Sequence, residues 1–178
     1  ELTTEHEAAE FAEKMIAGQK IMTTSCCTAY VELVKRHVPE FFDKVSTTPS
    51  PMKFAARLVR EKRPNALTVF IGPCIAKRWE AENAPEVDYV MTFEELGAML
   101  AGLGIDIMKQ EPWNIEMSRK NPELAKMNFK LDNKFINGID KKTAKLLKLY
   151  AMGKMPGNFL EVMSCGGGCV GGPCSLIK

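Results

Sequence analysis

The sequence predicts an α/β protein built on a largely parallel, four-stranded sheet flanked by helices. Three observations predict it. Short apolar runs alternate with longer stretches of helical periodicity, the pattern that lays helices over a parallel sheet. One run, within residues 65–72, contains the unbroken Ala-Leu-Thr-Val-Phe-Ile, which reads as a strand buried on both faces. Three predicted strands also end directly in cysteine, at Cys26-Cys27, Cys74 and Cys165. Functional groups in such sheets gather at the carboxyl ends of the strands, so these cysteines are expected to converge on one rim.

Each element has its own local reason. Residues 4–17 place Ala8, Phe11, Met15 and Ile16 on one helical face, with Thr4 and Glu7 at capping-box spacing and Gly18 as the stop. Residues 20–24 form a short strand ending at Ser25-Cys-Cys27, and a helix follows from 28 to 37 until Pro39 closes it. A Ser/Thr/Pro loop at 46–51 leads into a helix whose first turn holds Pro51 and which runs to about Lys62. After the apolar strand and Pro73-Cys74 another helix begins. Residues 88–91 form the third strand. Thr92 then caps a helix, with Glu95 at capping-box spacing, that ends near Gly102 or Gly104. Between Lys109 and Lys134 the pattern weakens, and only a short helix near 122–127 is expected. Residues 140–152 are a Lys- and Leu-rich helix, and residues 158–162 are the fourth strand.

Composition narrows the function. The 24 basic and 22 acidic residues leave a net charge of +2, which gives no argument for a nucleic-acid partner or an acidic membrane. No run of about 18 apolar residues is present, so no membrane insertion is expected, and no signal peptide is read at the start. The chain begins with Glu, which suggests that it is processed, truncated or one part of a longer protein. Six cysteines could pair as three disulfides. An adjacent Cys-Cys pair and cysteines set among glycines make a poor disulfide framework, so a reduced, cytoplasmic chain that uses thiols as metal ligands is expected.

The most informative stretch is Glu161-Val-Met-Ser-Cys-Gly-Gly-Gly-Cys-Val-Gly-Gly-Pro-Cys174. Glycine lets the backbone approach an object closely and adopt positive φ. Soft thiolates on such a loop suit an iron–sulfur cluster or a structural zinc. Structural zinc sites draw their ligands mostly from Cys-x-x-Cys knuckles, which this chain lacks, so iron–sulfur is favoured.

Thr24-Ser-Cys-Cys27, Pro73-Cys-Ile-Ala-Lys77 with Glu80, and Glu161-Val-Met-Ser-Cys165 with Cys169 and Gly171-Gly172 together resemble the three signature segments of the FeFe hydrogenases, in matching order and interval. The resemblance covers the chain from end to end. It implies that residues 1–178 are one lobe of the iron hydrogenase fold, with the preceding lobe and the ferredoxin-like domains absent. It also implies an H-cluster, a 4Fe–4S cubane joined through a cysteine sulfur to a diiron unit with carbonyl, cyanide and a bridging dithiolate amine. By position Cys27, Cys74 and Cys165 would hold the cubane, and Cys169 would be shared with the diiron unit. Cys26 matches the proton-relay cysteine and Lys77 the lysine that hydrogen-bonds cyanide. Met163 matches a methionine packed near the diiron unit. Ser46, Glu7 and Glu10 match the outward proton relay, provided the stretch before Cys26 is one residue short.

Each residue also has a plainer reading. Cys26 could be an inert thiol, Lys77 an exposed lysine paired with Glu80 or Glu82, and Met163 the last core residue of its strand. Glu7 could be a helix cap and Glu10 a solvated carboxylate. The implied activity is interconversion of hydrogen with protons and electrons. The implied partners are the missing N-terminal lobe, a ferredoxin-like electron donor or acceptor, and the maturation enzymes that build the cluster. The alternatives are a non-catalytic iron–sulfur protein resembling assembly and prelamin-recognition factors, or an apo fragment.

The sequence departs from the family pattern at Thr28, where proline is usual, at Gly72, where methionine is usual, and at Pro173-Cys174. These departures resemble the divergent, sensory members. Gly72 is expected to open space beside the diiron unit. The interval from Gly104 to Cys165 is short, as though residues near 111–114 were missing.

Overall fold

The computed structural model describes residues 2–112 and 130–176. The expected helix at 122–127 lies outside them. Helices α1 (Leu2–Ile16), α2 (Thr28–His37), α3 (Pro51–Lys62), α4 (Ala76–Ala81), α5 (Phe93–Gly102) and α6 (Lys141–Ala151) alternate with strands β1 (Met22–Thr23), β2 (Val69–Ile71), β3 (Tyr89–Met91), β4 (Asn133–Asn137) and β5 (Phe159–Met163). All described strand pairs are parallel, and helices flank them, as the sequence predicts. The strands form two sets rather than one, a three-stranded sheet in the order β1-β5-β4 and a separate β2-β3 pair.

The strand missing from the sequence reading is β4. Asn-Lys-Phe-Ile-Asn has asparagine at both ends and little apolar alternation, so propensity argues against it. Five register pairs with β5 override that propensity. The separation into two sheets leaves no sequence signal, since pairing partners lie far apart along the chain.

The cap expected at α5 holds, with Thr92 and Glu95 exchanging the hydrogen bonds of a capping box. Asp140, expected as the first residue of α6, instead stands just before it and caps it through the Thr143 amide. At α1 the prediction holds at one end only. Gly18 takes a left-handed φ of 87°, and the amides of Gly18 and Gln19 close back on Met15 and Lys14, so the stop is as expected. The helix begins before Thr4, however, so Thr4 and Glu7 lie within it and Glu7 is free for other work. Ile16, expected on the buried face, is exposed.

The main core lies between α2, α6 and one face of the three-stranded sheet, where Tyr30, Val34, Leu147, Leu160 and Val162 are fully buried. Each such side chain contributes roughly 1.5–3 kcal/mol of burial. Phe159, Glu161 and Met163 alternate onto the opposite face of β5. There α1 covers part of the sheet, and Phe11 meets Phe159 edge-on at 5.5 Å. A smaller cluster of Met52, Ala56, Ala84 and Val87 takes Phe70 and Val90 from the β2-β3 pair. The run at 65–72 is therefore not buried on both faces. Val69 and Ile71 remain 42% and 40% exposed, because among the described residues only one face of the two-stranded sheet is packed.

Candidate functional site

Three strand ends deliver the thiols. Beyond β1 the chain turns at Cys26 and Cys27, and Cys27 is the N-cap residue of α2. Cys74 follows β2, and Cys165 follows β5. Past Cys165, Gly167 and Gly168 adopt φ values of 80° and 69°, which only glycine takes without strain. They lead into a short 3-10 turn, Gly168–Gly171, that carries Cys169. Gly172 then lies so close to the Pro73 carbonyl that a Cβ would stand 2.9 Å from that oxygen, and the Cys174 amide donates to the same oxygen at 3.2 Å. The glycines thus let the terminal loop seat against the turn that bears Cys74. Cys27 is tied to the same region, since its Sγ accepts from the Ser164 amide and its thiol donates to Ser164 Oγ, both at 3.5 Å.

Two of the thiols respond to their neighbours. Burial, followed by the charges of Cys27, Cys74 and Cys169, pushes the Cys165 thiol up. Burial and the charges of Cys27 and Cys74 push up Cys169 also, with Lys77 acting in the opposite direction. Converging thiols without a cation resist ionisation, and a bound metal reverses that preference. Among the described residues no three His, Cys, Asp or Glu side chains stand close enough to hold one metal ion. Four sulfurs around a single zinc at about 2.3 Å each would lie within about 4 Å of one another. Thiolates are the donors that a multi-iron cluster would take at its corners, and Cys27, Cys74, Cys165 and Cys169 are the residues that would supply them.

Lys77 is buried, at 8% exposure, and its ammonium is fully engaged. It donates to Glu80 Oε2 at 2.5 Å, to the Cys26 carbonyl at 3.1 Å and to Thr28 Oγ1 at 3.3 Å. The Thr28 and Ser50 hydroxyls also donate to the Glu80 carboxylate. Burial alone would raise Glu80, but Lys77 and these hydroxyls together hold it below the usual carboxylate range. The plain reading of Lys77 as a partner of Glu80 is thus met in part, with the pair buried instead of exposed. Thr28, which stands where proline would have no hydroxyl, is a member of this network.

The four relay candidates form one continuous cluster. Ser46, buried, donates to Glu10 Oε2 at 2.6 Å. Glu10 also accepts from the Thr47 amide (2.7 Å) and hydroxyl (2.9 Å), and from the Thr48 amide (3.0 Å) and hydroxyl (2.8 Å). Lys14 pairs with it at 2.7 Å. Burial pulls Glu10 upward, yet these donors hold it at about 2. Glu7 is the reverse case. Burial first, with help from the charges of Glu10 and Glu161, raises it to about 7 against hydrogen bonds from Ser25 and Ser46. A serine hydroxyl has one proton to give. Ser46 can donate to ionised Glu10 while accepting from a protonated Glu7, which is the arrangement these two pKa values favour. Cys26 is pushed up to about 11, by burial first and then by Glu7, so its thiol is neutral at pH 7.

Gly72 does not open space. A Cβ there would stand 2.9 Å from two carbons of the Phe70 ring, so that ring occupies the volume the glycine vacates. Met163 is half-buried at the end of β5, within van der Waals distance of the position a Gly168 Cβ would take. Sequence reasoning gave no role to Ser50, Thr47, Thr48, Asn133 or Glu161. Only Glu161 carried a signal, as the first residue of the third cysteine segment.

The chain matches the sequence model of the family described as iron-only hydrogenase large subunit, C-terminal domain, in two stretches, residues 1–130 and 116–173. It is 23% identical to iron hydrogenase 1 of Clostridium pasteurianum over 235 residues, covering 97% of this chain and 41% of that protein. The alignment is longer than the chain, so that relative carries additional residues within the matched span. Identity to the NADP-reducing hydrogenase subunit of Solidesulfovibrio fructosivorans is 28% over 128 residues, covering 60% of this chain and 22% of that one. The chain spans less than half the length of these curated relatives. Among solved structures, an apo FeFe hydrogenase variant from Chlamydomonas reinhardtii superposes with a TM-score of 0.79 at 20% identity, covering 99% of this chain and 68% of that one. A structure describing stepwise assembly of the FeFe hydrogenase H-cluster gives 0.78 at 20% identity with the same coverage. At these identities the superpositions show the fold.

Proposed function

The chain belongs to the family formed by the C-terminal domain of iron-only hydrogenase large subunits, and from that premise we propose that residues 1–178 are the cluster-binding lobe of an FeFe hydrogenase. The reading is that this lobe, joined to an N-terminal lobe, interconverts molecular hydrogen with protons and electrons, slowly and in a sensory role. The observation that carries it is that β1, β2 and β5 deliver thiols to one region, where Cys27 and Cys74 lie close enough for their charge to raise both Cys165 and Cys169. Cys27, Cys74 and Cys165 would hold a 4Fe–4S cubane, and Cys169 would link it to a diiron unit with carbonyl, cyanide and a bridging dithiolate amine. When bound, that cluster supplies the electrons and the metal at which hydrogen is handled.

The remaining work falls to the side chains. The Cys26 thiol, neutral at pH 7, is suited to hold a proton at Sγ and release it to an acceptor. Glu7, titrating near 7, can take up and give back a proton at neutral pH with little driving force lost in either direction. Ser46 links Glu7 to Glu10. Glu10, ionised and saturated with donors, serves as the fixed acceptor that orders the 46–48 loop. Met163 lines the end of β5. Thr28, in its network with Lys77, and the ring-filled position at Gly72 would tune the diiron surroundings, which supports the sensory reading.

One observation favours a second reading. All three donors of Lys77 have protein partners, so cyanide would have to displace Glu80, Thr28 or the Cys26 carbonyl. A non-catalytic iron–sulfur relative of the assembly and prelamin-recognition type makes no such demand. As partners we propose the N-terminal lobe, a ferredoxin-like protein and the maturation enzymes. The near-neutral charge does not favour nucleic acid, and no described helix is long and apolar enough to cross a membrane. Six free cysteines support a reducing, cytoplasmic setting.

Infrared spectroscopy after anaerobic maturation with the N-terminal lobe tests the proposal, because metal-bound carbonyl and cyanide absorb where protein does not. Bands of both kinds are expected. Bound iron with neither band would establish the second reading instead.

A further inference from the structure

A cavity of about 250 Å3 lies between α1 and the face of the three-stranded sheet opposite the main core. Phe11 and Phe159 form apolar walls, and Glu7, Cys26, Asn133 and Glu161 bring polar groups into it. Glu161 takes its place through strand geometry. It alternates onto the same face of β5 as Phe159, and Phe159 is the register partner of Asn133 on β4. Asn133 supplies a separate observation, because its Oδ1 is fully buried and accepts no hydrogen bond from the protein. A buried acceptor left alone is costly, and ordered water is its usual partner. The cavity has room for several waters and offers each of them polar neighbours.

We infer that this cavity is a hydrated proton-holding site whose second carboxyl is Glu161, with Asn133 orienting the water that joins Glu161 to Glu7. The titratable groups facing Glu161 are Glu7 from α1 and Cys26 from the turn after β1, and no Lys, Arg or His is among the described residues lining the cavity. Burial raises Glu161, and its charge once ionised is one of the causes that raise Glu7. Each carboxyl thus resists ionisation, and the charge of Glu161 adds to the resistance of Glu7. Transfer needs no electron. The Glu7 carboxyl gives its proton to a water, that water gives one to the Glu161 carboxylate, and the charge moves from one side chain to the other. The inference rests on the hydrogenase reading only for the use to which the proton is put.

The test is a titration of the metal-free 178-residue chain by carbon NMR of labelled glutamate carboxyls, with folding checked by circular dichroism. In the unsubstituted chain Glu161 should titrate above the ordinary 4.5 and Glu7 at about 7. Glu161→Gln should lower the Glu7 midpoint by about half a unit or more, as loss of a charge across a partly buried cavity requires. Asn133→Leu should raise both midpoints, and Asn133→Ser should bring them back. A Glu7 midpoint unmoved by Glu161→Gln overturns the inference. So does an ordinary midpoint for Glu161 in the unsubstituted chain, a measurement that does not depend on any variant folding. Coupled carboxyls in a chain that never acquires carbonyl and cyanide bands would sink the hydrogenase reading and leave this site standing.

Discussion

Glu7→Gln should stabilise the fold, and only above a particular pH. Glu7 titrates at about 7 in the folded chain against an ordinary 4.5, chiefly because burial penalises its charge. The unfolded chain therefore releases this proton more readily than the folded one between those two values. Below about pH 4.5 the carboxyl is neutral in both states and contributes nothing. As pH rises from 4.5 to 7 the native state binds more protons than the unfolded state, so stability falls, and above 7 the whole cost is present. At about 1.4 kcal/mol per pH unit that cost is about 3 kcal/mol. Glutamine keeps the shape and the capacity to meet Ser46 without a charge to desolvate. Urea denaturation at several pH values should find the variant and the parent equally stable near pH 4.5. By pH 8 the variant should lead by about 3 kcal/mol, or roughly 6–12 °C in midpoint temperature for a chain of this length. A difference constant across that range would mean that Glu7 ionises as freely in the fold as out of it, and the argument from burial would fail.

Three further outcomes follow from the site. Glu80→Gln strips the counter-charge from a buried ammonium and should cost about 3–5 kcal/mol in denaturant unfolding, whereas a loss under 1 kcal/mol would show Lys77 turning out to solvent. Gly72→Met places a side chain where the Phe70 ring already lies, so it should destabilise by about 1–3 kcal/mol and not fill an open pocket. A neutral or stabilising effect would mean that the ring moves aside freely. Cys169→Ala should keep some cubane absorbance after maturation and lose the carbonyl and cyanide bands, because a charge-assisted hydrogen bond of a few kcal/mol from Lys77 cannot retain a diiron unit alone. Bands that survive would move the covalent link to another residue.

Local chemistry made much of the fold legible, and tertiary pairing hid the rest. Pro51, Thr92 with Glu95, and Gly18 each state a helix end through groups within three residues of one another, and each holds in the structure. The cysteines were legible because each follows a strand, and parallel strands share a direction. β4 was not, since Asn133-Lys-Phe-Ile-Asn137 becomes a strand through its pairing with β5. The exposure of Val69 and Ile71 was also hidden, because an apolar run does not say how many faces will find a partner. In the site, residue types gave the candidates but not their charge states. Glu7 and Glu10 sit three apart on one helix, yet one is stripped of water and the other is surrounded by the donors of a loop more than 35 residues away.

The split into two sheets sets a geometric demand that the cysteines alone cannot meet. Cys27 belongs to the three-stranded sheet and Cys74 to the β2-β3 pair, and no described strand bridges those sets. What spans them is polar. Lys77, one turn beyond Cys74, donates to the Cys26 carbonyl, while Glu80 gathers Thr28 from the start of α2 and Ser50 from the cap of α3. A buried ion pair adds little net stability, because desolvation offsets most of the attraction. Hydrogen bonds are directional where apolar contacts are not, so this network can fix how the Cys26-Cys27 turn faces the Cys74 turn in a way that a greasy seam of equal area would not. On this argument Glu80 acts on the thiols by position. Its loss should scatter the distances between Cys27 and Cys74 even where the fold survives, which spin labels on those two cysteines would register as a broadened distance distribution.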